Sequence, residues 1–174
     1  MGKKVIKCIL STDSIQKAID QLREYERDIK RKTERLRERI ANRLAADIDQ
    51  GFNTAIVDDI IRGGSPRTAD VRVIIESHNP VTLVIARGED AVWVEFGAGV
   101  FYNAPAGASP HPKGDSLNFK IGEYGKGHGK QRAWGYYSDG ELIITRGTPA
   151  KMPMARAVGA VAEDIASIAR EVFG

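Results

Sequence analysis

VRVIIES, residues 71–77, and VTLVIAR, residues 81–87, decide the fold of this 174-residue chain. Both are β-branched apolar runs of strand length, and His78, Asn79 and Pro80 between them form a turn, so the pair reads as an antiparallel hairpin. The residues before it follow a different period. From Thr12 to about Gly51 there is no proline and no interior glycine, and good helix formers dominate. Ile15, Ile19, Leu22, Ile29, Leu36, Ile40, Leu44 and Ile48 fall mostly three, four or seven apart, which draws one stripe along a single long helix, expected over 13–50. Asp13 followed by Gln16 suits a capping-box start, and Gly51 a stop. A helix of that length, roughly 55 Å, overhangs a body of this size. Between Arg23 and Arg39 the stripe thins to Tyr25, Ile29 and Leu36 among charges. The middle of the helix is therefore either solvated, with ion pairs along it, or covered by a neighbouring subunit.

Downstream of the hairpin the stretch DAVWVEFGAGVFYN, residues 90–103, crowds Trp93, Glu95 and Phe96 together before Gly97 and Gly99 release the backbone. From 104 to 132 the chain is rich in Gly, Pro and Lys without periodicity, and a mobile loop is expected over 103–132. A second hairpin follows: AWGYY, a Ser138-Asp139-Gly140 turn, then ELIITR, with Asp-Gly supplying the positive φ angles of a tight turn. Thr148-Pro149 leads into a C-terminal helix expected over 152–173, with a stripe of Val158, Val161, Ile165, Ile168 and Val172. The expected fold is α+β in one domain, 1–174. The long N-terminal helix and the C-terminal helix pack on a small antiparallel sheet within a β-rich core over 70–146, which carries the long Gly/Lys-rich loop.

Composition narrows the chemistry. The single cysteine, Cys8, excludes an intramolecular disulfide. The apolar run near the N-terminus is too short for a signal peptide or a membrane span, so a soluble protein of a reducing cytoplasm is expected. The net charge of +3 is unevenly spread. Residues 1–52 hold thirteen Lys/Arg against nine Asp/Glu, residues 53–98 four against seven, and residues 113–132 five against two. Patches of both signs suit a complementary protein surface or a second copy at least as well as a polyanion.

The stretch GEYGKGHGKQRAWGYY, residues 122–137, is not a phosphate-binding loop, because no glycine precedes its Gly-Lys pairs by five positions and no Ser or Thr follows Lys126 or Lys130. His78, His111 and His128 lack any ligand spacing and read as solvated loop histidines; neither a metal nor a cofactor is expected. Glu95 has no second acid tied to it by sequence and no nucleophile motif beside it, so it reads as a structural carboxylate capping a backbone turn at Gly97 rather than a catalytic group. Lys113, Lys120, Lys126, Lys130 and Arg132, interleaved with Tyr124 and Trp134, combine phosphate-neutralising charge with stacking surfaces. The alternative function is accordingly a nucleic-acid-binding module. The same residue types also dominate protein interfaces.

Three separated signatures resemble a known family: VWVEFGAG, the Gly/Lys stretch with its Asp-Gly hairpin, and ITRGTPAKMPMARA leading into the last helix. Together, over roughly Asp70 to Gly174, they are similar to the tailed-bacteriophage head-to-tail joining or tail-completion proteins, the gene-product-ten-like minor tail component group of phages and prophages of Gram-positive hosts. The extended insertion between Tyr102 and Trp134 departs from the commoner, shorter members. The resemblance implies a virion structural protein without enzymatic activity, found in the neck or tail and in the host cytoplasm during assembly. It implies a ring, a hexamer in the family, that completes or terminates the tail and joins it to the head connector. The implied partners are other copies, the connector or portal-side neck proteins, the tail tube protein and a sheath, with no membrane and no nucleic acid. Candidate interface residues on this reading are Ile29, Leu36, Trp93, Glu95, Phe96, Gly97, Tyr124, Lys126, Lys130, Arg132 and Trp134.

Overall fold

The structure is a computed structural model that describes residues 5–7, 9–57, 67–97, 111–117, 134–138, 140–145 and 150–174. The uninterrupted run of helix formers produces α1, Thr12–Asn53, a helix of 42 residues that is about 63 Å long. Its start differs from the expected capping box. Ser11 is the N-cap, its side chain accepting from the Ser14 amide, while the Ser14 hydroxyl accepts from the Ile9 amide at 3.0 Å. Asp13 instead lies in the first turn, where its charge faces the positive end of the helix dipole.

The far end differs as well. Gly51 does not stop α1, which continues to Asn53 and ends at Thr54, whose hydroxyl donates to the carbonyls of Gln50 and Gly51. The glycine is there for space: a Cβ at Gly51 would lie 2.6 Å from the Cβ of Pro153, at the start of the last helix. Gly51→Ala therefore has a small net cost. Overpacking against a proline ring costs about 1–3 kcal/mol, and alanine returns about 1 kcal/mol of helix propensity. A chemical-denaturation midpoint that rises on this substitution would refute the close-packing account.

After α1 come β1, Ile56–Val57, and β2, Arg67–Thr68, paired antiparallel. The hairpin expected at 71–87 is present as β3, Arg72–His78, and β4, Val81–Arg87, with Val73 opposite Ala86 and Ile75 opposite Val84. A six-residue helix α2, Ala91–Phe96, takes up the aromatic-acidic stretch, and a 3-10 turn spans Asp115–Leu117. The second hairpin is β5, Trp134–Ser138, and β6, Glu141–Thr145, with Ser138 opposite Glu141 and Gly140 at φ +80° as the Asp-Gly turn requires. The last helix, α3, is Pro153–Phe173. The plan is α+β, and among the described residues the strands form three separate two-stranded antiparallel ladders rather than one sheet. The expected loop over 103–132 lies almost wholly outside the described residues.

The C-terminal half of α1 holds the body together. Ile48 and Phe52 are buried with Ala55, Val57, Ala69, Val94 and Ala157, and Leu44, Val71, Val73, Val84, Ala86 and Met154 pack around them. Each large side chain removed from water here contributes about 1.5–3 kcal/mol. One face of the β3–β4 hairpin, with Val73, Val84 and Ala86, covers α1, and α3 runs antiparallel beside α1, with Pro153 near Gly51 and Glu171 bonded to Arg39 at 2.6 Å. The stripe predicted for α3 is only partly the buried one. Val161 and Val172 are buried, but Ala157 and Pro153 complete the inner line, while Val158 and Ile165 stay exposed. The small Ala157 takes the core position, which leaves the branched Val158 at the margin.

Candidate functional site

Glu95 takes part in three hydrogen bonds at the centre of one joint of the body. The helix α2 turns its carboxylate inward, 4% exposed, toward the N-terminus of α3. That terminus cannot cap itself. Met152 occupies the N-cap in the left-handed region, φ 55°, with no side-chain bond, and Pro153 has no N–H. The next two amides, Met154 and Ala155, donate to Glu95 Oε2 and Oε1 at 2.8 and 2.9 Å. The Lys151 amide donates to the Val94 carbonyl at 2.8 Å, so α2 grips the chain on both sides of the cap. A carboxylate at this end also meets the positive pole of the 21-residue α3. Glu95 thus caps α3 rather than a turn at Gly97, whose amide goes to the Trp93 carbonyl instead.

His111 completes the joint and corrects its reading as a solvated loop residue. It is 8% exposed, with Nε2 at 2.8 Å from Glu95 Oε1 and its ring 4.2 Å from that of Phe96, centroid to centroid. The Lys113 amide donates to His111 Nδ1 at 3.0 Å, which assigns the proton to Nε2 and makes that nitrogen the donor to Glu95. Both ring nitrogens and both carboxylate oxygens are therefore engaged. His78, by contrast, lies on the hairpin with its side chain 71% exposed.

A second clip holds the base of the hairpin. Buried Asp90 accepts two hydrogen bonds from the Arg67 guanidinium, at 2.6 and 3.1 Å, and one from the Asp70 amide at 2.8 Å. Such two-pronged pairing fixes the direction of β2 relative to α2. A cleft of about 600 Å³ lies between α1 and the start of α3. Arg43, Lys151 and Arg156 line it, and the one carboxylate among its lining residues, Asp47, is bonded to Arg43 at 2.9 Å. No group of three or more His, Cys, Asp or Glu side chains able to hold a metal ion occurs among the described residues. Among them, no helix is long and apolar enough to cross a membrane.

An exposed apolar stripe runs along the N-terminal half of α1. Arg37, which donates to the Pro80 carbonyl at 2.9 Å at the hairpin tip, and Arg39, bonded to Glu171, mark the edge of the body. Beyond that edge Ile15 is 43% exposed, Ile19 38% and Leu22 55%, on the face that α1 buries further along at Leu44 and Ile48. The charges around this stripe pair along the helix, Asp20 with Arg23, Glu26 with Lys30, and Asp28 with Arg31 and Lys32. The hydrogen bond and the charge of Lys30 hold the Glu26 carboxyl below its ordinary value, and Glu26 raises Lys30 in turn. These solvated pairs keep the half helical at little net gain.

Of the interface candidates from the sequence, Ile29 and Leu36 are half-buried on α1, Trp93 is exposed on α2 and Phe96 is half-buried. Glu95 and Gly97 are buried. Tyr124, Lys126, Lys130 and Arg132 lie outside the described residues, and Trp134 is described only as part of the β5 backbone. Sequence reasoning missed His111 and Asp90, whose partners are 16 and 23 residues away. The one available signal was an isolated histidine between two prolines. Comparisons with models of known protein families, with curated proteins and with solved structures find no match.

Proposed function

We propose that this chain is a structural subunit of a tailed-phage particle, a ring-forming neck protein that completes or terminates the tail and joins it to the head connector. The observation that carries the reading is the α1 overhang. A helix that keeps an apolar stripe in solvent at Ile15, Ile19 and Leu22 has a surface suited to another protein. Two of the three signatures that suggest the phage family also meet in space. The carboxylate of VWVEFGAG caps the helix opened by PAKMPMARA, so the acidic and aromatic motif has an architectural task. The chain's partners on this reading are its own copies, the connector and the tail tube.

The test is disruption of the reading frame in the producing phage, followed by electron microscopy of the lysate. The expected result is filled heads separate from tails, or tails of uncontrolled length. Intact infectious particles in normal yield would remove the assignment.

A further inference from the structure

Where α1 enters the body, a groove of about 380 Å³ runs between it, β4 and α3. Leu36, Ile40 and Leu44 form its floor, with Val84 on one wall and Met154 and Val158 on the other. Val158 is 55% exposed at its rim. The chain thus carries two complementary surfaces, a helical ridge with apolar side chains at i, i+4 and i+7 and an apolar trough between helix and hairpin. We propose that the α1 overhang of one copy seats in this groove of the next copy. The contact is head-to-tail, each copy giving its ridge and receiving another's. It rests on the ring reading above and names the contact that would build such a ring.

Three observations select a second copy as the occupant. The ridge cannot reach its own groove, because α1 is a single unbroken helix and Leu22 lies roughly 35 Å along it from the level of Val158. The charges also match. Arg37 is the one charged residue lining the groove, and the ridge brings a carboxylate, Glu26, between Leu22 and Ile29. Glu26 is held only by the solvated Lys30, a link that exchanges cheaply. Finally, both surfaces belong to one polypeptide, so ridge and groove are always present in equal number.

The test uses the full chain with Cys8→Ser, carrying Leu22→Cys and Val158→Cys, and a short thiol-to-thiol cross-linker. The two positions are too far apart to bridge within a chain, so every 22-to-158 product joins two copies. The expected result is a covalent ladder from the double variant, a single dimer band from an equimolar mixture of the two single variants, and neither from each single variant alone. Adding a charge at the neighbouring ridge position, Ile19→Glu, should remove the ladder while leaving the melting temperature unchanged, since Ile19 is outside the body. A chain that stays monomeric at assembly concentrations, or cross-links only 22 to 22, overturns the proposal. A ladder from protein whose loss leaves particles intact would keep the contact and remove the neck role; unjoined particles without a ladder would do the reverse.

Discussion

Replacing Glu95 with alanine is expected to lower the free energy of unfolding by about 3–5 kcal/mol, because it leaves three donors without an acceptor and each buried unsatisfied group costs about 1–3 kcal/mol. The substitution strands the Met154 and Ala155 amides and His111 Nε2 in a site that water cannot reach freely. It also removes negative charge from the N-terminus of α3. Glu95→Gln keeps the volume and one acceptor oxygen, so its cost should be smaller, about 1–3 kcal/mol. Urea unfolding followed by circular dichroism distinguishes the cases. If alanine and glutamine variants unfolded like the parent, the joint would be a contact without energetic weight, and the link between the two signature segments would lose its explanation.

Gly88→Ala is the second large effect. Gly88 precedes the Asp90 clip at φ +155°, and a Cβ there would meet the Asp70 carbonyl oxygen at 2.0 Å and the Val71 Cα at 2.9 Å. No flexible side chain can yield, because both neighbours are backbone. The strand must move, and with it the Asp70 amide that donates to Asp90. Strain and a disturbed buried carboxylate together should cost about 3 kcal/mol or more. Amide exchange would show the lost protection first across the β3–β4 ladder. A crystal structure of the alanine variant with the Arg67–Asp90 pair unmoved and full stability would contradict this account.

Much of the frame was legible before any coordinates. The long helix, both hairpins and the last helix follow from periodicity and turn chemistry, because these depend on residues close along the chain. The ends were less legible. Gly51 has the composition of a helix stop, yet its lack of a side chain serves a contact with Pro153, 102 positions away by subtraction of their numbers. Ser11 and Ser14 outcompete Asp13 and Gln16 as caps because the preceding backbone turns toward them, with Ser11 extended at φ −136°.

The functional surface divides in the same way. The apolar stripe of α1 and its thin, charged middle are properties of spacing, and any helix over those residues would present them. Which part of the stripe is covered depends on where the hairpin and α3 come to rest. The body begins near Arg37 and leaves Ile15, Ile19 and Leu22 outside it. Likewise the crowding of Glu95 with Trp93 and Phe96 could be read from the sequence, but its role as the cap of α3 could not. Local sequence sets what a segment can become, since helix and strand propensities act over a few residues. Burial and long-range hydrogen bonds choose among those possibilities, because they arise only when distant segments meet, as Glu95, His111 and Met154 do here.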